Sequence, residues 1–134
     1  MPKQYRSRTV DVVALNTKTA MTTLGSETAP GALIVPQGAS KLEAVIVAAG
    51  WHVTAAGRAN AMLRIEGSGL PNGPETVVIT GVGHPAAVAA AHITEALRVP
   101  IGSPVTPGNE ILLSAEMLGF LVGDVQVAAT LVFA

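Results

Sequence analysis

Apolar and polar residues alternate along most of the chain, in short segments separated by Gly, Pro and Asn. About eight such segments can be distinguished, at 9–24, 32–35, 41–49, 59–66, 75–82, 92–99, 110–118 and 124–133. An alternation of period two places every second side chain on the same face of a β-strand. Short alternating segments with turn residues between them predict an all-β protein, an antiparallel β-sandwich or a barrel.

The last segment shows the alternation most fully, because five consecutive odd-numbered positions are apolar. These are Val125, Val127, Ala129, Leu131 and Phe133. The segment 59–66 also alternates cleanly, whereas 41–49 and 75–82 are apolar on both faces. In 41–49 the alternation puts Leu42, Ala44, Ile46 and Ala48 on one face. We expect one face of each such strand to join the core and the other to need a partner.

One segment departs from the alternation, since residues 85–91 consist of a proline followed by an Ala-rich run. Alanine favours helices, and proline is tolerated in the first helical turn. We therefore predict a short helix or a loop at 85–91, followed by a strand at 92–99. A helix that continues to residue 98 is the alternative.

The N-terminus differs from the rest of the chain in charge. Lys3, Arg6 and Arg8 are basic, and residues 1–8 include no acidic residue. We predict that residues 1–8 form a flexible basic arm and that 9–134 form a single β-sandwich domain. Such an arm can order on a neighbouring subunit or make a weak contact with nucleic acid, or it can be an ordinary solvated terminus.

The composition indicates assembly and does not indicate a chemistry. Hydrophobic residues make up 49% of the 134 residues and charged residues 13%, about half the 25% charged fraction of a typical domain. This balance argues against disorder, which requires low hydrophobicity and high charge. A small domain with so few charges exposes apolar surface, and such surface is usually covered by partners. The net charge of −1 provides no basic field of the kind that nucleic-acid binders use.

Residues that could support catalysis are scattered. His52, His84 and His92 have no ligand spacing, and the sequence contains no Cys. No Ser lies in a nucleophile elbow, and the glycines before His84 lack the third Gly and the Lys of a phosphate-binding loop. We therefore predict no enzymatic activity, no cofactor and no metal site. The sequence also contains no secretory signal pattern and no apolar run of about 18 residues, so we expect no membrane span.

Interface residues are predicted from their type and position. Trp51 follows a glycine at a strand end, which is typical of a core or interface anchor. Phe120, Leu121 and Val122 lie between two glycines and form an apolar tip that would meet water in a monomer. Together with the three basic residues of the arm, these four residues are the candidate interface.

The strand number and spacing, the basic arm and the alternating terminal pair 110–118 and 124–133 resemble small single jelly-roll viral coat proteins. The resemblance covers the chain from about Val10 to Phe133 and is architectural. It implies a structural subunit of a virion, a homo-oligomer in a large assembly that can include other capsid proteins. Apolar contacts between subunits would form the shell.

Three other functions are compatible with the same pattern. A decoration or cement protein would trimerise on an existing shell. A subunit of an extracellular filament would donate a strand, for which 9–24 is the candidate. A small-ligand-binding β-sandwich is the third alternative.

Overall fold

The structure is a computed structural model that describes residues 3–12, 19–21, 32–53, 57–84, 90–93, 96–120 and 123–134. These residues form ten strands and no helix. The strands are β1 (Gln4–Val12), β2 (Thr19–Ala20), β3 (Ala32–Ile34), β4 (Lys41–Val53), β5 (Gly57–Glu66), β6 (Glu75–His84), β7 (Ala90–Ile93), β8 (Leu97–Pro104), β9 (Glu110–Phe120) and β10 (Gly123–Phe133). Since no helix is present in this part of the chain, none of it could cross a membrane as a helix.

The strands form two antiparallel sheets. Sheet I has the order β1-β10-β4, and β7 and β8 both pair with the other edge of β4. In sheet II, β2 and β3 both pair with one edge of β9, β5 pairs with the other edge of β9, and β6 pairs with β5. If β2 and β3 are counted as one strand position, and β7 and β8 as another, each sheet has four strand positions. When these eight positions are numbered along the chain, their order across sheet I is 1-8-3-6 and across sheet II 2-7-4-5. This is the strand order of a jelly roll. The prediction of an all-β, jelly-roll-like sandwich is confirmed.

The inner faces of the two sheets form one hydrophobic core. In β10 the five predicted inward positions are all buried, with exposed fractions of at most 1%. In β5 the positions Ala61, Leu63 and Ile65 are likewise buried. β9 is the neighbour of β5 in sheet II and contributes Ile111 and Leu113 to the same core. An uninterrupted alternation therefore predicts the core correctly in these strands.

The predicted faces of β4 are wrong because the strand contains a β-bulge. Leu42 pairs with Phe133 but Ala44 pairs with Val132, so Glu43 is an extra residue on β4. An extra residue reverses the alternation for the rest of the strand. The core residues of β4 are consequently Leu42, Val45, Val47 and Ala49.

The segment 85–91, predicted as a short helix or a loop, contains strand at its end, and the strand predicted at 92–99 is divided between β7 and β8. Residues 85–89 lie outside the described residues, but Ala90 and Ala91 belong to β7 and pair with Val53 and His52 of β4. The alternative of a helix up to residue 98 is wrong, since β8 begins at Leu97. Helix propensity is a weak preference, and hydrogen bonding to a neighbouring strand overrides it.

The boundary drawn after residue 8 falls inside a strand. Residues 4–8 form the first half of β1, and each pairs with a residue of β10, from Gln4 with Phe133 to Arg8 with Ala129. The polar composition of these residues suggested a free arm. They form a strand because they pair with β10, which is distant in the sequence.

One end of the sandwich is closed by three hydrogen-bonded connections, at 35–40, 67–74 and 105–109. Backbone N–H groups of Gly69 and Thr106 donate to the carbonyl oxygens of Glu110 and Gly69, at 2.8 and 3.0 Å. The N–H of Gly108 donates to the carbonyl oxygen of Val35 at 3.0 Å. The three connections therefore hold one another in place.

The glycines of the segment 67–69 serve this close packing. Gly67 has a φ of +124°, and a Cβ there would lie 2.6 Å from the carbonyl oxygen of Glu110. A Cβ on the buried Gly69 would lie 2.7 Å from Cγ1 of Ile111. Glycine is required at both positions for conformational and steric reasons.

Candidate assembly surfaces

The outer face of sheet I is crossed by an apolar row. Tyr5 of β1, Val132 of β10, Ala44 of β4 and Pro100 of β8 are successive cross-strand partners. Val132 and Ala44 point away from the core, yet their exposed fractions are 1% and 0%. Tyr5, at the end of the row, is 56% exposed. The centre of this outer face is thus already shielded from water, while its rim presents an aromatic ring.

An ion-pair cluster lies beside the apolar row. Glu43, the extra residue of the β-bulge, accepts from Lys3 Nζ at 2.9 Å and from Arg98 Nη2 at 3.4 Å. The hydrogen bond from Lys3 lowers the pKa of the Glu43 carboxyl group below its ordinary value of 4.5. Desolvation opposes this effect, and the charges of Lys3, Arg98 and Lys41 reinforce it. The cluster connects β4 with β8 and with the residue before β1.

Several small side chains lie at the middle of this outer face. The Oγ of Ser7 and the Oγ1 of Thr130 are hydrogen bonded at 2.7 Å across β1 and β10. Ala128 of β10 and Ala48 of β4 are opposite each other in the next outward row. Small side chains leave a flat surface to which another backbone can come close.

The outer face of sheet II carries larger aliphatic side chains. Leu112 and Leu118 point outward from β9 and are 40% and 38% exposed. Ile34 of β3 is 55% exposed and Val78 of β6 is 48% exposed. Val78 is the cross-strand partner of the half-buried Met62 of β5. These aliphatic residues form apolar projections on a sheet whose inner face is already filled.

Charged residues separate the aliphatic residues of sheet II. Glu66, Glu110 and Glu116 are outward-facing, and Arg64 lies among them on β5. Ser114 is the cross-strand partner of Arg64; its side chain is 5% exposed, and its Oγ has no hydrogen-bond partner among the described residues. Among the described side chains of this outer face, three carboxylates therefore accompany one guanidinium group.

The predicted basic residues of the N-terminus lie along one strand edge. Lys3 is paired with Glu43, as described above. Arg6 is exposed and donates to the carbonyl oxygen of Tyr5 at 3.0 Å and to Oε1 of Gln4 at 3.3 Å. For Arg8 the structure gives the backbone position in β1. A contact between these residues and nucleic acid stays a prediction.

The predicted apolar interface residues are only partly described. Trp51 is half-buried and packs against the core from the end of β4. Phe120 is the last residue of β9, while Leu121 and Val122 lie outside the described residues. The structure does not bring Trp51 and the basic residues into one surface, because Trp51 lies at the opposite end of β4 from Glu43.

The exposed aliphatic residues of sheet II were not predicted as interface residues. Leu112, Leu118 and Ile34 lie in apolar segments, which are interpreted as core when only the sequence is known. The available signal was their position: in 110–118, Leu112 and Leu118 fall on the face opposite to Ile111 and Leu113.

The three histidines are distributed over both sheets. His52 belongs to β4 and His92 to β7, which are neighbours in sheet I. The two histidines are not cross-strand partners, because His52 pairs with Ala91 and His92 pairs with Trp51. His84 belongs to β6 of sheet II and pairs with Gly57. Within the described ranges no group of three His, Asp or Glu side chains is arranged to hold a metal ion.

Comparisons with known proteins give distant structural similarities. No protein-family model and no curated protein sequence matches the chain. The crystal structure of FlhE aligns over 99% of this chain and 98% of its own, with a TM-score of 0.40 and 13% identity. A structure of infectious bursal disease virus, Gx strain, aligns over 98% of this chain and 32% of its own, with a TM-score of 0.41 and 11% identity.

A mutant VP2 protein of infectious bursal disease virus, in derived T=1 particles, aligns over 98% of this chain and 35% of its own. Its TM-score is 0.38 and its identity 12%. This chain thus spans about a third of the viral chains, whose covered shares are 32% and 35%. Because the TM-scores are low, the fold assignment rests on the strand order and not on these similarities.

Proposed function

We propose that this protein is a structural subunit that assembles with copies of itself into a shell, as a viral coat protein does. The proposal places it in a virion, in contact with other subunits, and assigns it no enzymatic activity and no cofactor. The observation that carries the proposal is the apolar surface that remains exposed on a sandwich whose core is already complete. Among the described residues, six large hydrophobic side chains are 38% to 59% exposed: Tyr5, Ile34, Val78, Leu97, Leu112 and Leu118.

The distribution of these residues supports contacts on several sides of the subunit. Ile34, Leu112, Leu118 and Val78 belong to the outer face or the edge strands of sheet II, and Tyr5 belongs to sheet I. A closed assembly requires each subunit to offer more than one contact surface. Burying about 100 Å² of apolar surface contributes about 2.5 kcal/mol. Several small surfaces can therefore add up to a stable shell while each contact stays reversible.

The fold supports the same proposal. A jelly roll closes its core within one chain and leaves two flat outer faces and four sheet edges for contacts. In this protein the charged fraction is 13%, so much of that outer surface is free of the charges that keep monomers apart.

Particle morphology tests the proposal directly. The purified full-length chain is examined at micromolar concentration by multi-angle light scattering and by negative-stain electron microscopy. We expect closed particles or oligomers on the way to them. A monomer under these conditions would contradict an assembly function. Fibres would favour the filament alternative, and discrete trimers the decoration protein.

A further inference from the structure

The four sheet edges of the sandwich are not equivalent. An edge strand presents unpaired N–H and C=O groups, so proteins protect edges with charges, prolines, bulges or very short strands. At one edge of sheet I, Arg6 of β1 stands at a register position opposite the buried Leu131, yet is exposed. At the other edge, β8 contains Pro100 and Pro104. Each of these two edges therefore carries a recognised protecting feature.

The edges of sheet II differ from each other in length. One is formed by β2 and β3, which have two and three residues. The other is formed by β6, which has ten residues and pairs only with β5 among the described residues. From Glu75 to Ile79 this pairing is regular, and a shift of register follows Ile79. The regular half of β6 is therefore the longest unprotected edge in the described part of the chain.

The composition of this half suits strand pairing. Thr76, Val77, Val78 and Ile79 are all β-branched, and β-branched residues favour extended backbone. They include no Pro, Lys or Arg, and Val78 is 48% exposed on the outer face. Long apolar edges of this kind are sites of association.

We infer that residues 75–79 of β6 pair antiparallel with the same residues of a second copy of the chain, about a twofold axis. This pairing would join the two copies of sheet II into one continuous sheet. It rests on the proposed function and supplies its first assembly step. A second copy is the fitting partner because antiparallel pairing about a twofold axis uses the same edge on both chains and leaves neither edge open.

The charges of the edge permit this pairing. Glu75 is its only charged residue, stands at the first position of the strand and accepts a hydrogen bond from Ser103 Oγ of β8. With the axis at Val77 or Val78, the two copies of Glu75 lie at opposite ends of the paired segment. They are then separated by at least four residues, or about 13 Å. Salt screens charges beyond about 8 Å at physiological ionic strength, so like-charge repulsion does not oppose the contact.

Disulfide trapping tests the geometry, because the chain has no native Cys. The full-length variants are Thr76→Cys, Val78→Cys and their equimolar mixture, oxidised under assembling conditions. An axis between residues 76 and 78 brings two of these positions directly opposite each other, at a separation a disulfide can span. We expect covalent dimers in at least one of the three samples. Asn60→Cys, which is exposed on the same outer face but on the inner strand β5, is the control and stays uncrosslinked.

A second pair of variants tests the contribution of the edge to association. Val78→Lys adds a charge to the edge, whereas Val78→Thr keeps a β-branched side chain and the backbone pairing. We expect Val78→Lys to weaken dimerisation at least tenfold by sedimentation velocity, and Val78→Thr to leave it within threefold of the original chain. Thermal unfolding of each variant verifies that the fold is retained.

The outcomes separate this inference from the proposed function. If the unmodified chain is a monomer at micromolar concentration, both are contradicted. If it assembles but no Cys variant on β6 crosslinks above the Asn60→Cys control, only the β6 pairing is overturned. Undiminished association of a folded Val78→Lys variant would overturn the pairing in the same way.

Discussion

The outer faces of the two sheets differ, although their inner faces are alike. Both inner faces consist of buried aliphatic residues that meet in one core. On the outside, sheet I has an apolar row shielded from water and small residues such as Ala48 and Ala128. Sheet II instead exposes Leu112, Leu118 and Val78 between carboxylates. The fold determines the inner faces, whereas it leaves the outer faces free to differ.

The largest effect that tests this comparison comes from two neighbouring residues of β9. Leu113 is 1% exposed in the core, and Leu112 is 40% exposed on the outer face. Leu113→Ala should lower the free energy of unfolding by about 2–5 kcal/mol, because it leaves a cavity in the core. Leu112→Ala should change it by about 0.5 kcal/mol or less, as exposed substitutions usually do. Urea unfolding of both variants measures the difference.

The same pair should act in the opposite order on association. Leu112→Ala removes an outward projection of sheet II, so it should reduce the fraction of assembled protein in sedimentation velocity at equal concentration. If Leu112→Ala proves as destabilising as Leu113→Ala, the outer face of sheet II is part of a second core and not a contact surface.

A smaller effect distinguishes the charges of the two faces. The hydrogen bond from Lys3 lowers the pKa of Glu43 below 4.5 in the folded protein. A carboxylate with a lowered pKa stabilises the folded state above the unfolded-state pKa, and this contribution is lost as pH falls through the folded-state pKa. Glu43→Gln should therefore have a slightly lower melting temperature than the unmodified chain at pH 7. The difference should shrink as the pH falls through the lowered pKa of Glu43 and disappear below it.

Glu116→Gln provides the matched control on sheet II. It changes the net charge by the same amount and has no ion pair with a described residue. If Glu116→Gln reproduces the pH-dependent difference of Glu43→Gln, net charge explains the effect and the ion-pair cluster does not.

The core of the fold could be predicted where a strand alternates without interruption. β10 is such a strand, and its inward residues from Val125 to Phe133 are those the sequence indicates. β4 could not be predicted in full, because the extra residue Glu43 is defined by pairing with β10 rather than by a local signal. Residues 4–8 were interpreted as an arm for the same reason, since their partner strand ends the chain.

The contact surfaces were harder to predict than the core. Trp51 is predicted as a core or interface anchor because it follows a glycine at a strand end, and Phe120 because it lies in an apolar tip between two glycines. In the structure Trp51 packs against the core. Leu112 and Val78 were missed because an aliphatic residue in a strand is interpreted as core until the register is known. For Leu112 the alternation of 110–118 offered a signal, and the pairing of Val78 with Met62 and of Leu112 with Glu66 places both on the outside.

The smallest effect concerns one hydroxyl group on each outer face. On sheet I, Ser7 Oγ is bonded to Thr130 Oγ1 at 2.7 Å. On sheet II, the buried Ser114 Oγ has no hydrogen-bond partner among the described residues. Removing a bonded hydroxyl costs about 0.5–1.5 kcal/mol, whereas removing an unsatisfied buried one relieves a desolvation penalty. Ser114→Ala should thus leave the free energy of unfolding unchanged or raise it slightly, while Ser7→Ala lowers it. A loss of stability in Ser114→Ala as large as that in Ser7→Ala would show that Ser114 does have a polar partner, and that the outer face of sheet II is covered within the subunit itself.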